Sequence, residues 1–565
     1  MNLNFVETRL NSITKNADFA MRGEEIVKNG TVRLGPFSAV SYVLDWSQDP
    51  LKNRSWQWRW ATLSALTYLI AYHSKSSDPI ALKIGYELIS SWTTNFLHTS
   101  SVDSEINEFA WHDHGTALRA EHVLWFYAYV QKQHQGIKDL HLNDGTVISF
   151  DEFLKQHAAV LADNEFYSAN TNHGLEQARV LFLLSKIGAE RWIPAAVWRD
   201  IALDRIRAEF DYAYTPEGVH VENSPAYHIF VFKVFISIVQ DYELEELGDW
   251  ADDFMARARL ILNYITHILR PDGLTPIIGD SEKLRPTDSF RKLLGHTEEY
   301  KKFQYAFSLG KFGIRPSSTF QVYPLSGYAV YRNQWADHSC YADVIHAIFK
   351  GGPLSQYHRQ EDEGNLLLYA FGEDWLIDSG MYNYNKNDII RKYVRSKMAH
   401  NVVVVDGVQY KPWESIKSEW ALTEKCLDSG KQAIDFCFSG FDHVIKSRRV
   451  KFDGPSIEVN DIVRISDGNS RPVRVLWHID ADKQIIALNH SEIEIRSTKT
   501  RRNLKLKIHS NLQFRISVKS GVSGQRVFSV TSDIANKYVS SQLIEINFDA
   551  ATLTEVTSLM SFGSF

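Results

Sequence analysis

The stretch GKFGIRPSSTFQVYP, residues 310–324, divides the sequence into two halves whose apolar residues recur at different spacings. Before it, apolar side chains return every three to four positions, the mark of amphipathic helices. WQWRWATLSALTYLIAYH (56–73) is the first strong case, followed by DPIALKIGYELISSWTTNFL (78–97), HGTALRAEHVLWFYAYVQ (114–131), HGLEQARVLFLLSKIG (173–188), VWRDIALDRIRAEFDYAY (197–214), YHIFVFKVFISIVQDYELEEL (227–247) and WADDFMARARLILNYITHIL (250–269). Several are apolar around more than one narrow stripe, which suits helices packed on two sides in a layered array or toroid. After Pro316 the period drops to two, as in YADVIHAIF, NLLLYAF, NVVVVDG, KQAIDFCF, RPVRVLWHID and LIEINF, with polar turns between. That pattern predicts short antiparallel strands in stacked sheets. The expected fold is therefore multidomain, α then β, with a helical domain over 1–315 and an antiparallel β-sandwich domain over 316–565.

Composition narrows the class. The 565 residues are 44% hydrophobic and 23% charged, as in ordinary globular proteins. A net charge of −6 argues against nucleic acid as partner. It also means that an acidic polymer would need a locally basic groove. The cysteines Cys340, Cys426 and Cys437 are odd in number and lack the spacing of a disulfide framework or a thiolate zinc site. The N-terminal MNLNFVETRLNSITKN has no basic segment leading into an apolar run, so no secretory leader is expected. No apolar run is long enough to predict a membrane span.

Polar residues crowd together at four places. In NTNHGLEQA (170–178), Asn170 or Asn172 suits a helix cap, while Asn172-His173 could instead present an amide donor and a base to a cleft. In EGVHVENSPAYHIFVF (217–232), Ser224 and Pro225 read as a helix start, with Glu222, Asn223, Tyr227 and His228 beside it. In WHDHGTALRAEH (111–122), Arg119 fits either a structural ion pair or an acidic substrate. The fourth place begins at YHRQEDEGN (357–365) and extends through the next strands to His400. His358, Gln360, Asp378 and His400 lie on neighbouring predicted strands and could converge on a divalent ion: zinc, manganese or calcium. Asp378-Ser379-Gly380 equally suits a turn. The basic run Arg391-Lys392-Tyr393-Val394-Arg395-Ser396-Lys397 supplies local positive charge.

The order H-x-Q (358–360), D-S-G (378–380) and H-N-V-V-V-V-D-G (400–407), after a helical half carrying Asn172-His173 and Tyr227, resembles the heparinase II/III superfamily of polysaccharide lyases. Many members have His where this chain has Gln360. The resemblance implies an incomplete (α/α) toroid followed by an antiparallel β-sandwich. It implies β-elimination from a uronic-acid polymer such as heparan sulfate, hyaluronan or chondroitin, giving a 4,5-unsaturated product. With that reaction Asn172, His173, Tyr227 and His358 are expected to be catalytic: Asn172, with His173 or Arg119, neutralises the uronate carboxylate, Tyr227 serves as acid and also as base, and His358 or His173 is the base for one uronate epimer. Arg119, Tyr384, Arg391 and Arg395 are expected to bind substrate, and Gln360, Asp378 and His400 to hold a mainly structural metal ion. Other readings are an alginate or capsular uronan lyase, a glycoside hydrolase using Asp113, Glu222 or Glu361, and a non-catalytic polysaccharide-binding protein. The expected partner is an acidic polysaccharide, with no nucleic acid and no membrane.

Overall fold

A computed structural model of the chain describes residues 4–97, 107–133, 138–142, 145–241, 248, 250–427, 431–487 and 489–564. It divides into two compact units, residues 1–212 and 213–565. The last part of the predicted segment 227–247, residues 242–247, lies outside the described residues.

The first unit is built of helices, among them Asn4–Lys15, Ala17–Asn29, Pro79–Phe96, Asp113–Lys132, Phe150–Ala162 and Asn172–Gly188. The predicted helix over 56–73 is two helices, Arg54–Ala61 and Ala65–Ser76, because Leu63 adopts a left-handed conformation (φ 56°). The break is local chemistry: the Thr62 and Ser64 hydroxyls both donate to the Arg59 carbonyl, at 2.8 and 3.3 Å, taking a helical acceptor out of the ladder. Other helices start where a side chain caps them, as Asp78 does for the Ile80 amide (3.0 Å) and Ser149 for the Glu152 amide (3.0 Å).

The second unit holds the helices Pro225–Asp241 and Trp250–Ile268 together with two large antiparallel sheets. The eight-stranded sheet runs from Trp420–Cys426 through Gln432–Phe441, Val444–Asp453, Ser456–Ile465 and Leu553–Ser564 to Lys483–Ala487. Its strands alternate buried and exposed positions, and Ile434, Val450 and Val459 stand in register on the inner face. They meet Phe349, Trp375, Val475, Trp477 and Ile546 of the eleven-stranded sheet in one core. Each such fully buried side chain contributes about 1.5–3 kcal/mol of transfer free energy.

In the eleven-stranded sheet, Tyr328–Arg332, His346–Lys350 and Asn365–Ala370 are buried at every position. Their second face is covered by the helix Trp250–Ile268: Tyr264 and Ile268 pack against Tyr328, Val330, Ile348 and Leu367. That contact explains why the second compact unit begins at Ala213 while the change of period falls near Pro316. Among the described residues no helix is long and apolar enough to cross a membrane.

Candidate active site

Within the second unit, three chain segments meet around His358. The helix Pro225–Asp241 begins on Ser224, whose hydroxyl accepts the Tyr227 amide at 3.3 Å, and this sets Tyr227 in its first turn. The residue before, Asn223, is left-handed (φ 57°), a conformation Asn tolerates better than most residues. Its buried amide donates to the Ser355 and Tyr357 carbonyls (2.9 and 3.1 Å) and accepts the Leu354 amide (3.0 Å). The start of the tyrosine helix is thus bonded directly to the loop that carries His358. Gly279 (φ 58°) completes the junction: a Cβ there would lie 2.5 Å from the Asn223 carbonyl oxygen and 3.0 Å from that of His358. Any larger residue would push these segments apart.

His358 lies in the left-handed region (φ 52°), and its imidazole stacks on the Tyr227 ring with centroids 3.7 Å apart. Its Nδ1 is 3.2 Å from Asp280 Oδ2, and its Nε2 faces Glu222 at 3.4 Å. Asp280 is itself clamped: Arg391 donates to both its oxygens (2.7 and 2.8 Å), and the Gln360 amide donates to Oδ1 (3.0 Å). Burial alone would raise the Asp280 pKa, but His358 and Arg391 hold the carboxyl well below its usual range. The Tyr227 hydroxyl does not meet His358; it is paired with the Tyr384 hydroxyl at 2.9 Å.

Several expected residues therefore change role. Arg391, expected to bind substrate, is buried and carries its charge into the ion pair with Asp280 and a bond to the Met381 carbonyl (2.9 Å). Arg395 stays exposed, and its carbonyl accepts the Glu361 amide at 3.0 Å, beside the His358 loop. Tyr384 is exposed at 52% of its surface. Asp280 does not stand out in the sequence: in IIGDSEKL (277–284) it looks like an ordinary turn aspartate, and only the fold brings it to His358 and Arg391.

The residues expected to hold a metal lie behind this cluster. Asp378 accepts the Ser379 and Gly380 amides on Oδ1 (2.7 and 3.2 Å), and its Oδ2 receives Asn365 and faces His400 Nδ1 at 3.1 Å. Both Asp378 oxygens are thus engaged within the protein. Gln360 Oε1, Asp362 Oδ2 and His400 Nε2 are buried without a protein partner, the donor chemistry an ion would meet. Among the described residues no three His, Cys, Asp or Glu side chains are arranged to hold an ion. Gln360 Oε1 and His400 Nε2 are the open donors among the three expected ligands, while Asp378 is spent on holding His400 Nδ1. Burial raises Asp362 to about 6.

The first unit has its own polar cluster, centred on Asp113. Its carboxylate contacts His112 Nδ1 (2.8 Å), His173 Nδ1 (3.0 Å) and the Ser168 hydroxyl (2.6 Å). Burial opposes its ionisation, and these three partners more than offset it, holding Asp113 well below the usual range. The His114 ring stacks on His173 at 4.7 Å, and burial pushes His114 down to about 3. Asn172 is the first residue of its helix; the cap is Thr171, which accepts the Gly174 amide at 3.0 Å. Arg119 does not belong to this cluster. It is fully buried, bonded to His157 (3.0 Å) and the Ala61 carbonyl (3.1 Å), and lies over the Trp92 ring at 3.9 Å. It is closed to any polymer, and the expectation that it binds substrate is corrected on that ground. Trp56, Trp60 and Trp111 are likewise buried in the core.

Comparison with known proteins places the chain. Residues 13–305 match the family description "Heparinase II/III N-terminus", and residues 315–557 match "Heparinase II/III-like, C-terminal". The chain is 23% identical over 261 residues to a heparin-sulfate lyase of Bacteroides stercoris, covering 45% of this chain and 38% of that protein. It is 19% identical over 389 residues to a heparin-sulfate lyase of Pedobacter heparinus, covering 67% and 56%. The matches thus span about half the length of these relatives or less. Its fold is that of a crystal structure of heparinase III, with a TM-score of 0.80, 14% identity and coverage of 98% of this chain and 86% of that one. The chain belongs to the heparinase II/III family.

Proposed function

We propose that the protein is a polysaccharide lyase that cleaves a glycosaminoglycan of the heparan sulfate type by β-elimination. The observation that carries this reading is the Tyr227 hydroxyl, held at a helix start over His358 and open to a neighbour rather than tied into the core. Support for the substrate comes from the heparin-sulfate lyases to which the chain is similar.

The reaction removes the proton on C5 of a uronic acid and expels the O4-linked sugar. The carboxylate attached to C5 must be neutralised as enolate-like charge develops, a base must reach C5, and an acid must protonate O4. The neutralising role goes to Asn172 as the amide donor, with His173, whose ring Asp113 fixes. Tyr227 is the proton-transfer group in the second unit. His358 turns its ring nitrogens toward Asp280 and Glu222, so its part is to support the phenol from below. Exposed Arg395 supplies positive charge for an acidic chain. A divalent ion held by Gln360 and His400 would supply fixed positive charge that pins these loops.

The hydrolase reading needs two carboxylates across a cleft. Glu222 is buried facing His358, and Glu361 accepts the Lys397 amide at 3.1 Å, so neither is presented as one of such a pair. Incubation with heparan sulfate, hyaluronan, chondroitin sulfate and alginate tests the proposal. A lyase generates an ultraviolet-absorbing unsaturated uronate, with heparan sulfate the preferred polymer. New reducing ends without that chromophore would overturn it.

A further inference from the structure

We infer that Glu209 is a positioning residue for Asn172, holding the loop before the helix Asn172–Gly188 in the shape that aims the Asn172 carboxamide at a uronate. This rests on the lyase reading above and deepens it, since it names what fixes the group that neutralises the substrate carboxylate.

The need arises at Asn172 itself. Its side chain is half-buried and, among the described residues, its carboxamide has no hydrogen-bond partner. No such bond fixes it, so its direction follows from the backbone at the helix start. That backbone turns sharply: Asn170 is left-handed (φ 62°) and Thr171 is extended (φ −141°, ψ 159°).

Glu209 stands on the helix Ala195–Ala213 and is only 3% exposed. Its Oε1 accepts the amide of left-handed Asn170 at 3.0 Å and the Tyr167 hydroxyl at 2.5 Å, so one oxygen grips the loop at two points. Bonds to a charged acceptor are roughly twice as strong as neutral ones, which suits a group that keeps a left-handed residue in place. The same oxygen lies against the helix start: a Cβ on Gly174 would come within 2.6 Å of it and within 2.3 Å of the Ser168 carbonyl oxygen. Only glycine lets the carboxylate, the loop and the first helical turn close up.

Two neighbours complete the hold. Gln177 is fully buried; its Oε1 accepts the Ser168 amide (2.9 Å) and its Nε2 donates to the Phe166 carbonyl (3.0 Å). Arg205, one turn before Glu209, lies over the Tyr167 ring at 4.1 Å and donates to the Leu161 and Ala162 carbonyls (2.6 and 2.9 Å), which fixes the other end of the loop. Between them the Ser168 hydroxyl donates to Asp113 (2.6 Å), the carboxylate that also faces His173. A neutralising donor must already be in place as charge develops at C5, and a misplacement of about 1 Å can cost on the order of 10²-fold in rate. Glu209 prevents that shift through the backbone and takes no part in proton transfer.

The test is a double-mutant cycle on kcat for unsaturated-uronate formation from heparan sulfate, with melting temperature followed in parallel. Glu209→Ala should lower kcat on the order of 10²-fold with KM little changed. Glu209→Gln, which keeps an acceptor oxygen at the same reach, should recover most of the rate. In an Asn172→Ala background the Glu209→Ala change should cost no more than about twofold further, because the group it positions is gone. Glu209→Asp keeps the charge but withdraws the oxygen by one methylene; it should repeat both the loss and its disappearance, and it serves in place of the alanine variant if that variant does not fold. An equal fold-loss with and without Asn172, or an unchanged kcat in a folded Glu209→Ala or Glu209→Asp variant, would overturn the assignment. Absence of unsaturated product from wild type would instead overturn the lyase reading itself.

Discussion

The ring of Tyr227 lies 3.7 Å from the imidazole of His358, with 21° between their planes. An aromatic pair this close fixes the orientation of both rings as well as burying their faces. The phenol is therefore aimed by stacking, while the imidazole is aimed by Asp280, which is aimed in turn by Arg391.

Asp280→Asn should cost on the order of 3–5 kcal/mol of stability, because it leaves the buried Arg391 charge without its partner. The Asp280 carboxyl sits below its ordinary value, so its contribution is fully present above about pH 4 and is lost as pH falls toward the folded-state value. Denaturant melts of wild type and variant across that range check both points: the difference should be largest near neutrality and shrink in acid.

Arg119→Ala should lower stability on the order of 3 kcal/mol through loss of buried hydrogen bonds and the stack on Trp92. The KM of the folded variant should stay near wild type. A raised KM with unchanged melting would mean that Arg119 meets substrate.

Asp113→Ala should lower kcat by about tenfold or more, equivalent to about 1.4 kcal/mol of transition-state stabilisation, because the His173 ring loses the carboxylate that fixes its Nδ1. Steady-state kinetics with a melting control separates this from unfolding.

Chelation should lower both melting temperature and rate if an ion sits on Gln360 and His400, and added zinc, manganese or calcium should restore them. Asp378→Ala should weaken the same response, since His400 loses the partner of its Nδ1. Elemental analysis of the purified protein provides an independent check.

The helices and most strands are legible in the sequence because their periods are local properties of the chain. The strands Tyr328–Arg332 and His346–Lys350 hide their surroundings, since residues buried on both faces show no alternation that would reveal the covering helix Trp250–Ile268. The helix break at Leu63 is invisible to periodicity because the competition by Thr62 and Ser64 for one carbonyl leaves no trace in apolar spacing. At the site, Tyr227 and His358 stand out by residue type and order. Asp280 does not, because it acts through partners 78 and 111 residues away. The basic run expected to dock an acidic chain loses Arg391 to the interior for the same reason: charge along a sequence does not say which side chain is buried against a carboxylate.

The central claim is that the Tyr227 hydroxyl moves the proton. The most direct measurement is unsaturated-uronate formation from heparan sulfate by Tyr227→Phe, alongside its melting temperature. The account predicts a folded protein with turnover reduced about 10²–10⁴-fold. A variant that melts like wild type and makes product at a near wild-type rate would contradict it.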